Sequence, residues 1–253
     1  HPSGLANLDA LDDSLQQAVI RGGRLWTNHQ IRVDATGAGS GAGDRNGIRW
    51  YEIENLSTAP SLRQSGTLFD NAVTNPASYI YGSVMVSGQG HMALGATVAG
   101  ATTFVNAVAA GRLAGDPLNT LNGPAEVYSP NTSFTYNVDA PPDPQRWGSY
   151  SYTSLDPADD MTLWTLQQYV NATDSYALRL VRLAAPPPAA LTTVTPSSLG
   201  PNAVNATLTV TGTSAAGSGF FDGGAGFTNR LVAAFSGSGL TVTGVTVVSP
   251  TEL

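Results

Sequence analysis

Apolar and polar residues alternate along Leu15 to Val33, Gly47 to Asp70 and Tyr79 to Ala99, and the apolar positions are rich in Val, Ile and aromatics. A period of two is the mark of a strand with one buried face, so these stretches predict β-structure. Ile48 to Ile53 reads as the third strand of a first unit and Arg63 to Asp70 as the outer strand that closes it, with Pro60 in the turn between them. Only Ala6 to Arg21 offers an amphipathic helix, with Asp9, Asp12 and Asp13 near its start, and a loop or short turn is expected there instead.

A weak repeat appears when Gly22 to Thr27, Gly90 to Gly95 and Asp159 to Trp164 are superposed; each is a turn followed by the start of an apolar strand. The copies stand about 70 residues apart, which suits repeated β-sheet units carrying long loops. The pattern predicts an all-β chain with about three four-stranded blades of a β-propeller. Three blades leave sheet edges open, so the missing blades are expected from upstream polypeptide or from another chain.

The clearest boundary is the run Ala184-Ala185-Pro186-Pro187-Pro188-Ala189-Ala190, which stiffens the chain into an extended spacer. The expected division is a propeller portion over 1–184, a linker over 185–191 and an immunoglobulin-like β-sandwich over 192–253, the last expected to be truncated. Its strands are expected at Leu191 to Val194, Ala206 to Gly212, Asn229 to Phe235 and Leu240 to Val248.

Composition narrows the function classes. The 253 residues are 42% hydrophobic, enough for a sizeable core, but only 11% charged, against ~25% in a typical soluble domain. With no Cys, thiolate metal sites, disulfides and Cys nucleophiles are excluded. A net charge of -7 without a basic cluster opposes binding to nucleic acid. No apolar run reaches the ~20 residues of a membrane-spanning helix. The His1-Pro2 start suggests a processed product or fragment, with export to the cell surface or medium inferred.

Arg146-Trp147-Gly148-Ser149-Tyr150-Ser151, continuing through Leu155-Asp156-Pro157 to Thr162-Leu163-Trp164-Thr165, resembles a segment of secreted bacterial sialidase-like (BNR-type) propellers, with Ser149 where that pattern has Asp. Gly88 to Gly95, Ala109-Gly111-Arg112 and Gly115-Asp116-Pro117 resemble the preceding blade of the same proteins. The tail, from Val194-Thr195-Pro196 through Leu208 to Gly212 and on to Leu253, resembles an IPT/TIG immunoglobulin-like domain. The resemblance implies an extracellular multidomain protein; a sialidase would further need clustered arginines on the substrate carboxylate, a Tyr nucleophile with a Glu partner, and an Asp acid.

Arg49, Arg112 and Arg146 fall once per blade and are the candidate ligand-binding cations, with pairing to carboxylates or backbone carbonyls as the structural alternative. Trp147 and Tyr150, in a Gly- and Ser-rich loop, are candidates for stacking on a sugar, with core packing as the alternative. Asp156, Asp159 and Asp160 could gather around a structural Ca²⁺ or simply cap their own turn, the favoured reading. His1, His29 and His91 lack zinc-site spacing, and no cofactor is otherwise implied. Four Asn-x-Ser/Thr sequons, at Asn55, Asn131, Asn171 and Asn205, read as chance occurrences.

The expected protein is therefore a non-catalytic extracellular module whose propeller face recognises a glycan or a surface protein. Two alternatives stand beside it. One is a sialidase-like glycoside hydrolase with Arg112 and Arg146 on an acidic sugar, and the other is a self-assembling subunit of a filament or surface layer that docks through unpaired blade edges.

Overall fold

A computed structural model describes residues 1–127, 133–184, 189–237 and 239–253. The described part is all-β, with four antiparallel sheets, none of them closed into a barrel. The first sheet is a meander of β1 (Gln17–Arg21), β2 (Arg24–Val33), β3 (Arg45–Glu54) and β4 (Ser61–Leu68). The second repeats it with β5 (Ala77–Val86), β6 (Met92–Gly100), β7 (Thr103–Arg112) and β8 (Asn122–Val127). The third holds β9 (Tyr152–Leu155), β10 (Leu163–Ala172) and β11 (Ser175–Leu183), three strands where four are expected from the sequence.

The weak sequence repeat has a structural meaning. Gly22-Gly23, Gly90 and Asp159-Asp160 each lie in the turn between the first and second strands of their sheet. Gly22 and Gly23 adopt φ of 56° and 72°, the left-handed backbone that glycine takes without steric cost. Ala6 to Arg21 contains no helix: Asp9 and Asp12 accept hydrogen bonds from the backbone N–H groups of Leu11 and Ser14, and β1 starts at Gln17.

The three meanders stack face to face. β5 packs against β2 and β3, while β9 and β10 pack against β5, β6 and β7, so the second sheet lies between the other two. Alternation along β6 serves both interfaces. Met92, Leu94, Ala96 and Val98 join Trp26, Ile48, Trp50 and Leu68 of the first sheet in one apolar cluster. The intervening Gly95 and Thr97 approach the third sheet and its preceding loop, at Thr165 and Trp147. That second interface is polar at its centre: Thr153 Oγ1 lies 2.8 Å from Ser83 Oγ and 2.9 Å from Thr165 Oγ1.

After the linker, whose residues 185–188 lie outside the described residues, β12 (Leu191–Thr195) and β13 (Thr209–Gly212) form the one strand ladder among the described residues. Leu253 extends it by exchanging backbone hydrogen bonds with Val210, at 2.9 and 3.1 Å. The runs expected as strands at Asn229 to Phe235 and Leu240 to Val248 form no strand among the described residues. Val232 and Val248 are 82% and 65% exposed, so these runs have apolar residues but no facing layer to pack them. Asn131 also lies outside the described residues.

Candidate functional site

The structure separates the three arginines singled out from the sequence. Arg49, on β3, donates to Thr67 Oγ1 at 3.0 Å and to the Gly37 carbonyl at 2.7 Å. Arg146 is exposed and forms an ion pair with Asp139 at 2.7 Å. Arg112, at the end of β7, is buried; it donates to the carbonyls of Thr120, Asp116 and Pro117 and lies 5.8 Å from the Trp50 ring centroid. Each meets the partners of the structural alternative, and they share none.

Trp147 is a core residue, not a surface platform. Its indole N–H donates to Thr97 Oγ1 at 3.2 Å and its ring meets Tyr136 edge-on at 4.9 Å, so the Gly- and Ser-rich loop folds inward over the second sheet. Tyr150 stays exposed.

The three aspartates are occupied in their turn. Asp156 accepts from Ala158 N–H at 2.8 Å and Trp164 Nε1–H at 2.9 Å. Asp159 accepts from Met161 and Thr162 N–H and from the Thr162 hydroxyl. Burial opposes the charge on Asp159, but these donors outweigh it and hold the carboxyl below its ordinary range. Asp160 pairs with Arg21, and its carbonyl accepts from Gly88 N–H at 2.7 Å. Burial pushes the Asp160 carboxyl upward against the pull of Arg21. One residue thus ties together the turn ends of all three sheets. No group of three or more His, Asp or Glu side chains among the described residues is placed to hold a metal ion.

The chemistry gathers elsewhere, in an open cleft of about 240 Å³ at this same turn end. Arg21, Arg24, Arg63 and Arg112 line it around a single carboxylate, Glu52, with Gln64 and Gln89 beside them. Glu52 is 1% exposed and accepts from Arg24 Nη1 at 2.8 Å and from Gln64, with Arg63 Nε 3.6 Å away. Strand register builds this: Arg21 faces Arg24 across the first hairpin, Trp26 faces Glu52, and Glu52 faces Gln64. A register irregularity after Glu52 lets Gln64 and Leu62 fall on opposite faces of β4.

A guanidinium has five N–H donors, and the buried carboxylate engages only one side of Arg24, whose side chain remains 42% exposed. The arrangement is suited to holding an anion: cations fixed in place by a buried counter-charge, in a chain that is otherwise acidic. Burial lowers the Arg112 guanidinium below its ordinary value, an effect that Glu52 and Asp116 oppose. No Tyr or His lines the cleft.

Next to it, the tail seats on the turns. Gly115 N–H donates to the Ala216 carbonyl at 2.9 Å, Gln89 Nε2 to the Gly219 carbonyl at 3.2 Å, and Asn229 N–H to the Ala158 carbonyl at 2.7 Å. His91 is buried under this contact; its Nδ1 accepts from Ala114 N–H at 2.9 Å, and burial lowers its pKa.

Searches of family models, of curated proteins and of solved structures found no match to this chain.

Proposed function

We propose that the three stacked meanders are consecutive blades of a partial β-propeller, followed by the start of an immunoglobulin-like sandwich, and that the chain is a non-catalytic extracellular module binding an acidic glycan. One observation carries the functional part: four arginines line a single cleft, and two of them, Arg24 and Arg63, lie against one buried glutamate. At about 240 Å³ the cleft is smaller than the ~300–1,000 Å³ of drug-sized pockets, so it suits one charged sugar residue at the end of a chain. The repeat supports the propeller reading, because its three copies occupy the same turn in successive sheets.

Binding is favoured over hydrolysis by what surrounds Glu52. A sialidase-like enzyme pairs its Glu with a Tyr nucleophile, whereas Glu52 is held by Arg24 and Gln64 and the cleft has no Tyr in its wall.

Calorimetric titration with a uronic- or sialic-acid-terminated oligosaccharide, against its neutral counterpart, tests the proposal. The acidic sugar should bind and weaken with salt, and Arg63→Ala should weaken it by roughly 10-fold or more, the cost of a charge-assisted hydrogen bond. Equal binding of the neutral sugar, or an unchanged Arg63→Ala, refutes it. Release of the terminal sugar on incubation would favour the hydrolase.

A further inference from the structure

The two ends of the stack carry apolar faces that nothing among the described residues covers. On the third sheet, Thr153, Thr165 and Gln167 are buried toward the second sheet, so alternation turns Tyr152, Leu166, Leu178 and Leu180 the other way. Leu166 stands opposite both Tyr152 and Leu180, forming a row across all three strands. These residues are 60%, 39%, 59% and 59% exposed in the order Tyr152, Leu166, Leu178, Leu180, and Tyr176 beside them is 57% exposed.

The first sheet has a matching row. Trp26, Trp50 and Glu52 face the second sheet, and the register places Ile20, Leu25, Ile53 and Leu62 side by side on the opposite face. Ile20 and Leu62 are 64% and 58% exposed. Both rows cross every strand of their sheet, as a packed interface requires, rather than scattering singly over a surface.

The second sheet is covered on both faces, by the first sheet and by the third, so the chain already stacks sheet on sheet twice. Among the described residues one face of the third sheet and one of the first remain uncovered, and a contact between them continues that stacking.

We propose that the outer face of the third sheet and the outer face of the first sheet are a complementary pair, and that a second copy of this chain docks head-to-tail through them. Contact runs face to face, continuing the stack, and not through the unpaired strand edges expected from the sequence. A heterologous contact of this kind adds copies until the free faces meet in a closed ring, which two copies of three blades would already form with six, or it runs on as a filament. The proposal is independent of the arginine cleft.

Sedimentation velocity on the intact chain from roughly 1 to 200 μM tests it, a range that brackets micromolar association. The wild type should self-associate as concentration rises, into a ring of two or more copies or a filament. Leu180→Glu, on the third sheet, and Ile20→Glu, on the first, should each stay monomeric alone with unchanged circular dichroism. Mixed in equal amounts they should form a heterodimer and nothing larger, because each keeps the one good face the other lacks. A wild type that remains monomeric throughout, a single variant that still dimerises alone, or a mixture that forms no heterodimer overturns the proposal.

Discussion

The second and third sheets start from the same turn and follow the same meander, yet their strands are buried in different ways. Along β6 eight consecutive residues are buried, whereas β11 alternates half-buried and exposed positions for most of its length. The difference is the number of neighbours. A strand with sheets on both sides needs apolar or small residues everywhere, and one with a single neighbour needs them at every second position. β11 nevertheless has Tyr176, Leu178 and Leu180 on its uncovered side, which is the composition of a covered face. The tail marks the other extreme, since every residue of β12 is exposed.

Swapping the same side chain at the two sites gives the largest contrast. Leu94 is 0% exposed between the first two sheets, and Leu94→Ala should cost about 2–5 kcal/mol in chemical denaturation, by lost transfer energy and the cavity left behind. If it cost no more than a surface change, the second sheet would not be packed as described.

Next comes the approach of the second and third sheets at Gly95. A methyl group there would overlap Thr165 Oγ1 and Gln167 Nε2, so Gly95→Ala should destabilise by about 1–3 kcal/mol, with the loss read in the same denaturation assay. A neutral outcome would mean that the sheets stand farther apart.

A smaller effect is expected from pH at His91. Its pKa in the fold lies below 6.5, the ordinary value, because burial disfavours the imidazolium. Below that ordinary value the unfolded chain takes up a proton that the fold refuses, so stability is full above it and falls as the pH drops toward the folded pKa. Thermal melts from about pH 7.5 to 5.5 should show Tm decreasing, and His91→Asn should flatten the slope across that window. An identical slope in the variant would remove His91 as the cause.

The smallest change should come from Leu180→Ala in a dilute sample. The side chain is 59% exposed, and surface substitutions of this kind usually stay within about 0.5 kcal/mol. A much larger loss by denaturation would show that the monomer already covers this face.

These contrasts also show what could be seen in the sequence. The four strands of the first sheet were legible because one-sided burial writes alternation into Leu15 to Val33 and Gly47 to Asp70, and the repeated turn marked the start of each second strand. Asn229 to Phe235 and Leu240 to Val248 carry β-rich composition as well, but propensity without a facing layer makes no sheet. The cleft was hidden for a different reason. Arg24, Glu52 and Arg63 are far apart in the chain and meet through hairpin register and one irregularity after Glu52, neither of which residue spacing reveals. Arg112 alone of the cleft arginines stood out beforehand. Trp147 takes the core-packing alternative: the Gly and Ser around it suggest an exposed loop, but a hydroxyl at Thr97 and the ring of Tyr136 draw the indole inward.

The central claim is that the third sheet is built like the second but lacks its second neighbour, and amide hydrogen exchange followed against protein concentration tests it most directly. In dilute solution β9 and β11 should exchange faster than β5 to β7; as concentration rises they should become protected while β12 and β13 do not change. Third-sheet protection equal to that of the second sheet at every concentration would contradict the claim.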